Sequence, residues 1–179
     1  YRPDYVILGE VRGAEIRALI QAAAIGHSAL CTMHAESPEA ALVRMSSPPM
    51  DVSLGGRMLV WNFLMLNRVK HGKVIRRAIS STEVVPRENL MELKQVFVWN
   101  PRTDRFAPDD GDNAARHLVE TSYRLKEIAK LRGWTDDELV NQLEERHALL
   151  SNLVEENKLS YSDVSEAIQS YYRNNVWTT

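Results

Sequence analysis

The stretch Arg2-Pro3-Asp4-Tyr5-Val6-Ile7-Leu8-Gly9-Glu10-Val11-Arg12-Gly13 decides the fold. Tyr5 to Leu8 is a short apolar run rich in strand formers, bounded by Pro3-Asp4 and Gly9, and it reads as a buried strand. Ala14 to Ile25 follows, with apolar residues at Ile16, Leu19, Ile20 and Ala23. That spacing predicts a helix, which Gly26 closes. Ser28 to Met33 reads as a second buried strand. Ser37-Pro38 then opens another helix, with Pro at its first position and Glu39 in its first turn. Ser47-Pro48-Pro49 stops it. Strand, helix, strand, helix predicts an α/β fold around a parallel sheet.

Outward from this unit the pattern changes. Asp51 to Asn67 reads as a helix from about Ser53 passing into a strand near Val60. The runs Phe63 to Val69, Val74 to Val85 and Leu93 to Trp99 predict an antiparallel meander. His71-Gly72-Lys73 is its first turn and Asn100 to Asp104 its last. Met58, Trp61, Phe63 and Met65 are expected in the core. An acidic link, Pro108-Asp109-Asp110-Gly111-Asp112, then separates residues 1–110 from a helical subdomain at 111–179. There, Leu118 to Leu131 predicts one helix ending at Gly133. Thr135 with Glu138 three residues on is a capping box. Ser160 or Ser162 caps a last helix to Tyr172, and Trp99, Trp134 and Trp177 are expected to pack at element ends. Glu144-Glu145-Arg146 reads as a solvated helix face.

Composition narrows the function classes. The chain has 179 residues, 44% hydrophobic and 26% charged, which fits a folded globular chain. A net charge of −2 makes no electrostatic case for nucleic acid. One cysteine, Cys31, excludes an intrachain disulfide framework. No apolar run approaches the roughly 18 residues that span a bilayer. Tyr1-Arg2-Pro3-Asp4 has neither an initiating Met nor a signal-type apolar region, so the N-terminus reads as a boundary within a longer chain.

Two residues stand where chemistry is done in α/β proteins, at the carboxyl ends of the parallel strands. Glu10, past the first strand, can orient or deprotonate an attacking water, or act on Mg²⁺ through water. His34 stands past the second strand, with Thr32 two residues before it on the same side, and an imidazole there can meet a terminal phosphate. Each signal is weak by itself. A solvated strand-end carboxylate and a histidine bonded to a loop carbonyl are the plain alternatives. A metal hydrolase built from Glu10, His27 and His34 is a further alternative, without a recognised zinc spacing.

The combination is specific. Arg2 to Gly13 resembles the Walker B region of the type II/type IV secretion ATPase superfamily. Gln21-Ala22-Ala23-Ala24-Ile25-Gly26-His27 resembles its A-x-x-T-G-H segment. Cys31-Thr32-Met33-His34-Ala35-Glu36-Ser37 resembles its histidine box, and Ala41-Leu42-Val43-Arg44-Met45 the helix that follows. Ser47-Pro48-Pro49-Met50 and the helical C-terminus are most similar to the archaeal branch, which drives archaella and type IV pili. The resemblance covers residues 1 to about 105 well and the rest more loosely. Ile25 stands where the family usually has Thr, and Cys31 where it usually has Ser.

The resemblance implies the C-terminal portion of a RecA-like P-loop NTPase domain, with the meander and helical subdomain added. It implies ATP and Mg²⁺ as cofactors and a cytoplasmic homo-hexamer at the inner face of the cell membrane. A polytopic membrane platform protein is its implied partner, met by the helical tail. Glu10 would activate water and touch Mg²⁺ through water. Gly9 replaces the aspartate that related ATPases carry there. Thr32 and His34 would lie by the nucleotide, with His34 near the γ-phosphate. Arg12 would serve the active site, with Arg2 a weaker candidate. His27 would position its loop, and Arg44 would anchor its helix by a salt bridge. The phosphate-cradling G-x-x-x-x-G-K-[ST] run is absent. The sheet is therefore expected to be incomplete and the chain by itself inactive.

Overall fold

A computed structural model describes residues 3–71, 73–107 and 113–174. Gly72 at the first hairpin turn, the acidic link at 108–112, Arg2 and Trp177 lie outside the described residues. The fold is α/β with mixed sheets, and the chain forms two compact units. The first holds residues 1–114 and 121–124. The second holds 115–120 and 125–179.

In the first unit, β1 (Tyr5–Leu8) and β2 (Ser28–Cys31) pair in parallel, with Tyr5 opposite Ser28 and Ile7 opposite Leu30. Between them runs α1 (Ile16–Ala24), closed by Gly26 at φ +94°, a left-handed conformation that glycine adopts without strain. Next comes α2 (Pro38–Ser46), where the Ser37 hydroxyl accepts the Ala40 amide at 3.1 Å, as the Ser-Pro signal predicts. A short α3 (Leu54–Met58) leads into the meander β3 (Asn62–His71), β4 (Lys73–Pro86), β5 (Met91–Asn100) and β6 (Arg105–Ala107), in that order across an antiparallel sheet. The core gathers Val11, Ile16, Leu42, Met45, Met50 and Val52, with Leu8, Ile20, Met33, Val60, Phe63, Met91 and Leu93 packed around it.

The parallel strands depart from the expected buried pair. Val6 and Leu8 are half-buried, whereas Tyr5 is 63%, Ile7 67% and Leu30 57% exposed. Alternation explains the split. One face of the pair is covered from within the chain, and Tyr5, Ile7 and Leu30 share the other, which no described element covers. The second strand also ends at Cys31 rather than Met33, because Thr32 turns into the loop that carries His34. Trp61, expected in the core, is about half exposed, lying under the Arg124 guanidinium at 5.0 Å.

The second unit holds most of α4 (Ala114–Thr121) and α5 (Tyr123–Arg132), then α6 (Asp136–Glu155) and α7 (Tyr161–Asn174). Its core joins Val119, Ala129, Leu139 and Val140, with Trp134 packed against them. The capping box forms as expected. Thr135 and Glu138 satisfy each other's amides, and Ser160 caps the last helix through the Asp163 amide. Glu144-Glu145-Arg146 is not merely solvated. Glu145 accepts the Tyr171 hydroxyl at 3.0 Å, and Arg146 lies over the Tyr171 ring.

The single helix expected over 118–131 is broken at Ser122. The cause is Glu83 of β4, buried at the break. Its carboxylate accepts the Ser122 hydroxyl, the Tyr123 amide at 2.9 Å and the Arg124 amide at 3.3 Å. Arg124 in turn donates to the Val84 carbonyl at 2.6 Å. A carboxylate at the first amides of α5 satisfies donors that otherwise have no intrahelical acceptor. Replacing Glu83 by Ala removes the acceptor from three buried or half-buried donors, so Glu83→Ala should cost about 3 kcal/mol of unfolding free energy. Urea denaturation checks this, with Glu83→Gln expected to lose less because it keeps one acceptor oxygen.

Candidate functional site

The site is built where β1 and β2 end. After Leu8 the chain leaves the sheet through Gly9 and Glu10, and Val11 then turns inward. Its side chain is fully buried in the core, and its amide donates to the Thr32 carbonyl at 2.8 Å. Glu10 and Arg12, on either side of this anchor, are thereby left facing outward. The Thr32 hydroxyl donates to the Gly9 carbonyl, a second tie between the two strand exits. Thr32 and Gly9 thus form the floor of the site, joined to each other rather than to the Glu10 carboxylate.

Glu10, Arg12 and His34 come together on that floor. Arg12 Nε donates to Glu10 Oε1 at 2.7 Å and its terminal nitrogen to Oε2 at 2.8 Å, a bidentate pair. His34 Nε2 lies 3.3 Å from the same Oε1. Arg12 and His34 are exposed, so the pair stands at an open surface. The Arg12 hydrogen bonds hold the Glu10 carboxyl below the ordinary glutamate range. The charges of Arg12, His34 and Arg44 add to this against the opposing pull of desolvation.

Two neighbours fix the loops. Arg44 donates to the His34 carbonyl at 2.7 Å, so it anchors the histidine loop to α2 through a backbone oxygen rather than by the expected salt bridge. Glu15 carries a role the sequence reading missed. Its Oε1 accepts the Arg12 amide at 2.6 Å and the Gly13 amide at 2.8 Å, closing the turn that carries Arg12. These backbone amides, with its own, lower the Glu15 pKa. The available signal was an acid three residues beyond Arg12 at the entry to a helix, the arrangement of an N-terminal cap.

His27 does not join the group. It precedes β2, whereas His34 follows it, so the two histidines sit at opposite ends of a strand. Among the described residues no cluster of three His, Cys, Asp or Glu is placed to hold a metal ion. This removes the geometry that a hydrolytic metal centre at Glu10, His27 and His34 requires.

The family model described as type II/IV secretion system protein matches residues 1–170. The chain belongs to the type II/IV secretion system protein family. Two uncharacterised proteins of Methanocaldococcus jannaschii are related to it. One is 37% identical over 156 residues, covering 85% of this chain and 54% of its own length. The other is 30% identical over 177 residues, covering 96% of this chain and 31% of its own. The chain thus spans about half the length of the first and under a third of the second. No helix among the described residues is long and apolar enough to cross a membrane.

Both site carboxyls have lowered pKa values, so each contributes stability that is present above its unfolded pKa. That contribution is lost as pH falls through the folded value. Side-chain ¹³C NMR titration should place Glu10 and Glu15 below a reference glutamate. Arg12→Ala should return Glu10 towards the ordinary range and leave Glu15 lowered, because Glu15 is held by backbone amides that the substitution keeps.

Proposed function

We propose that this chain is the C-terminal portion of a RecA-like motor ATPase, working as a homo-hexamer at the inner, cytoplasmic face of the cell membrane. Such a motor drives assembly of a pilus or archaellum, or protein secretion. The observation that carries this reading is the convergence of Glu10, Arg12 and His34 at the carboxyl ends of two parallel strands, in a member of the secretion family.

The residues present suit ATP with Mg²⁺. Arg12 and His34 offer exposed nitrogen donors of the kind that meet a terminal phosphate. A lone carboxylate suits Mg²⁺, which keeps most of its water and takes few protein ligands. When bound, the nucleotide supplies the phosphoryl group that is transferred to water. Glu10 then orients that water and takes its proton, a role that requires Arg12 to release at least one carboxylate oxygen. His34 donates to the phosphate, and Thr32 and Gly9 hold the two strand exits at fixed separation.

Longer relatives support reading the chain as one part of the catalytic domain. Parallel sheets are found covered on both faces, and Tyr5, Ile7 and Leu30 are the surface that further chain would bury. A second role, docking to a polytopic membrane platform protein, is favoured by exposed apolar side chains around the α6–α7 connection: Leu150, Val154, Leu159 and Tyr161.

Two measurements test the main reading. Glu10→Gln in the longer natural protein should lower ATP turnover about 100-fold or more with little change in nucleotide affinity. The 179-residue chain alone, lacking the P-loop amides and lysine, should show no Mg²⁺-dependent hydrolysis. Turnover by this chain that Glu10→Gln abolishes would overturn the second expectation. Full turnover by the longer Glu10→Gln protein would overturn the first.

A further inference from the structure

Two features of the first unit carry opposite charge and do not meet within it. The first is an arm. β5 pairs with β4 only from Ser80 onward, so beyond Leu66 and Ala78 strands β3 and β4 continue as a two-stranded ribbon. Arg68 stands directly opposite Arg76, and Lys70 lies two residues further along the same face. Like charges directly opposite each other oppose strand pairing. Among the described residues none of these three side chains has a hydrogen bond or ion pair. Arg77, on the other face, is by contrast held by Asp104 at 2.7 Å. The basic face ends in exposed Leu66 and Val74.

The second feature is a cleft of about 410 Å³ between the start of α2 and the sheet. Glu36 and Glu39 stand on its rim, and neither has an ion-pair partner among the described residues. Ser80 and Thr82 line it from β4. They are only 8% and 5% exposed, and their hydroxyls have no hydrogen-bond partner among the described residues. Gln95 adds an amide, and Met65, Ile79 and Leu93 add apolar surface. Their hydroxyl oxygens are not sealed in the core but open onto the cleft, where a ligand's donors can reach them. Apolar walls with a polar, acidic head space suit a long cationic side chain, whose aliphatic stem packs while its nitrogens meet oxygens.

Register keeps the two features apart. Met65 and Ser80, opposite each other, face the cleft. Arg68 and Lys70 differ from Met65 by an odd number of positions along β3 and lie on the other face of the ribbon. Two complementary patches that cannot meet in one copy make a heterologous, head-to-tail contact between copies, the kind that closes into a ring. We propose that the basic arm of one copy, through Arg68, Lys70 and Arg76, docks into the Glu36/Glu39 cleft of a second copy of this chain. This deepens the ring assembly proposed above. Its failure leaves the ATPase reading intact, because that reading is tested separately by Glu10→Gln turnover.

The test is charge exchange on the 179-residue chain, with self-association read by sedimentation velocity. The parent should associate, and more weakly as salt rises from about 0.05 to 0.5 M. R68E with R76E, and separately E36K with E39K, should each weaken self-association about tenfold or more. An equimolar mixture of the two variants should restore it, since each arm then finds a cleft of opposite sign; restoration also shows that both variants fold. Three results would overturn the proposal: no association of the parent at any concentration, variants that associate like the parent, or a mixture that stays apart. Sedimentation with anionic phospholipid vesicles gives a further arm. Binding lost in R68E/R76E, with self-association unchanged, would reassign the arm to a membrane surface and overturn it too.

Discussion

Everything at the site depends on the burial of Val11. One fully buried side chain, with its amide on the Thr32 carbonyl, fixes the loop that leaves β1 against the loop that leaves β2. Because Val11 points into the core, Glu10 and Arg12 on either side of it must point out and meet. Burying a valine contributes about 1.5 to 3 kcal/mol, and here that energy also sets the aim of two charged groups. The remaining ties are secondary: Glu15 closes the turn, Thr32 joins the strand exits, and Arg44 holds the histidine loop.

The electrostatics of the group describe a carboxylate already neutralised. Both Glu10 oxygens are engaged by Arg12, and His34 stands beside one of them. A base committed in this way is a poor acceptor for a proton from water. On the proposed reading, catalysis requires a competitor for Arg12, and a terminal phosphate is such a competitor. The pair then acts as an interlock. The guanidinium that turns towards phosphate is the one that frees the carboxylate.

Much of this was legible in the sequence because it is local. The apolar run at Tyr5–Leu8, the helix stop at Gly26, the Ser37-Pro38 start and the Thr135/Glu138 box depend on residues within one turn of each other. The motif residues Glu10, Arg12 and His34 were legible as a set, because their order and spacing are specific. What was not legible is set by distant contacts. The exposure of Tyr5, Ile7 and Leu30 depends on what covers a sheet, and an apolar run reads the same whether covered or not. Glu15 was overlooked because an acid at a helix entry is common, and only the fold shows that the amides it accepts belong to Arg12 and Gly13.

The break at Ser122 belongs to the same class and has a consequence for inheritance. Local preference over 118–131 favours an uninterrupted helix, and a carboxylate about forty positions upstream overrides it. Glu83 and Ser122 therefore form one unit of exchange between related proteins. A tail grafted onto a sheet that lacks the acid would be free to run straight through residue 122. Its second half would then continue the line of the first, and the apolar side chains that pack with Trp134 would no longer be presented by the same turn.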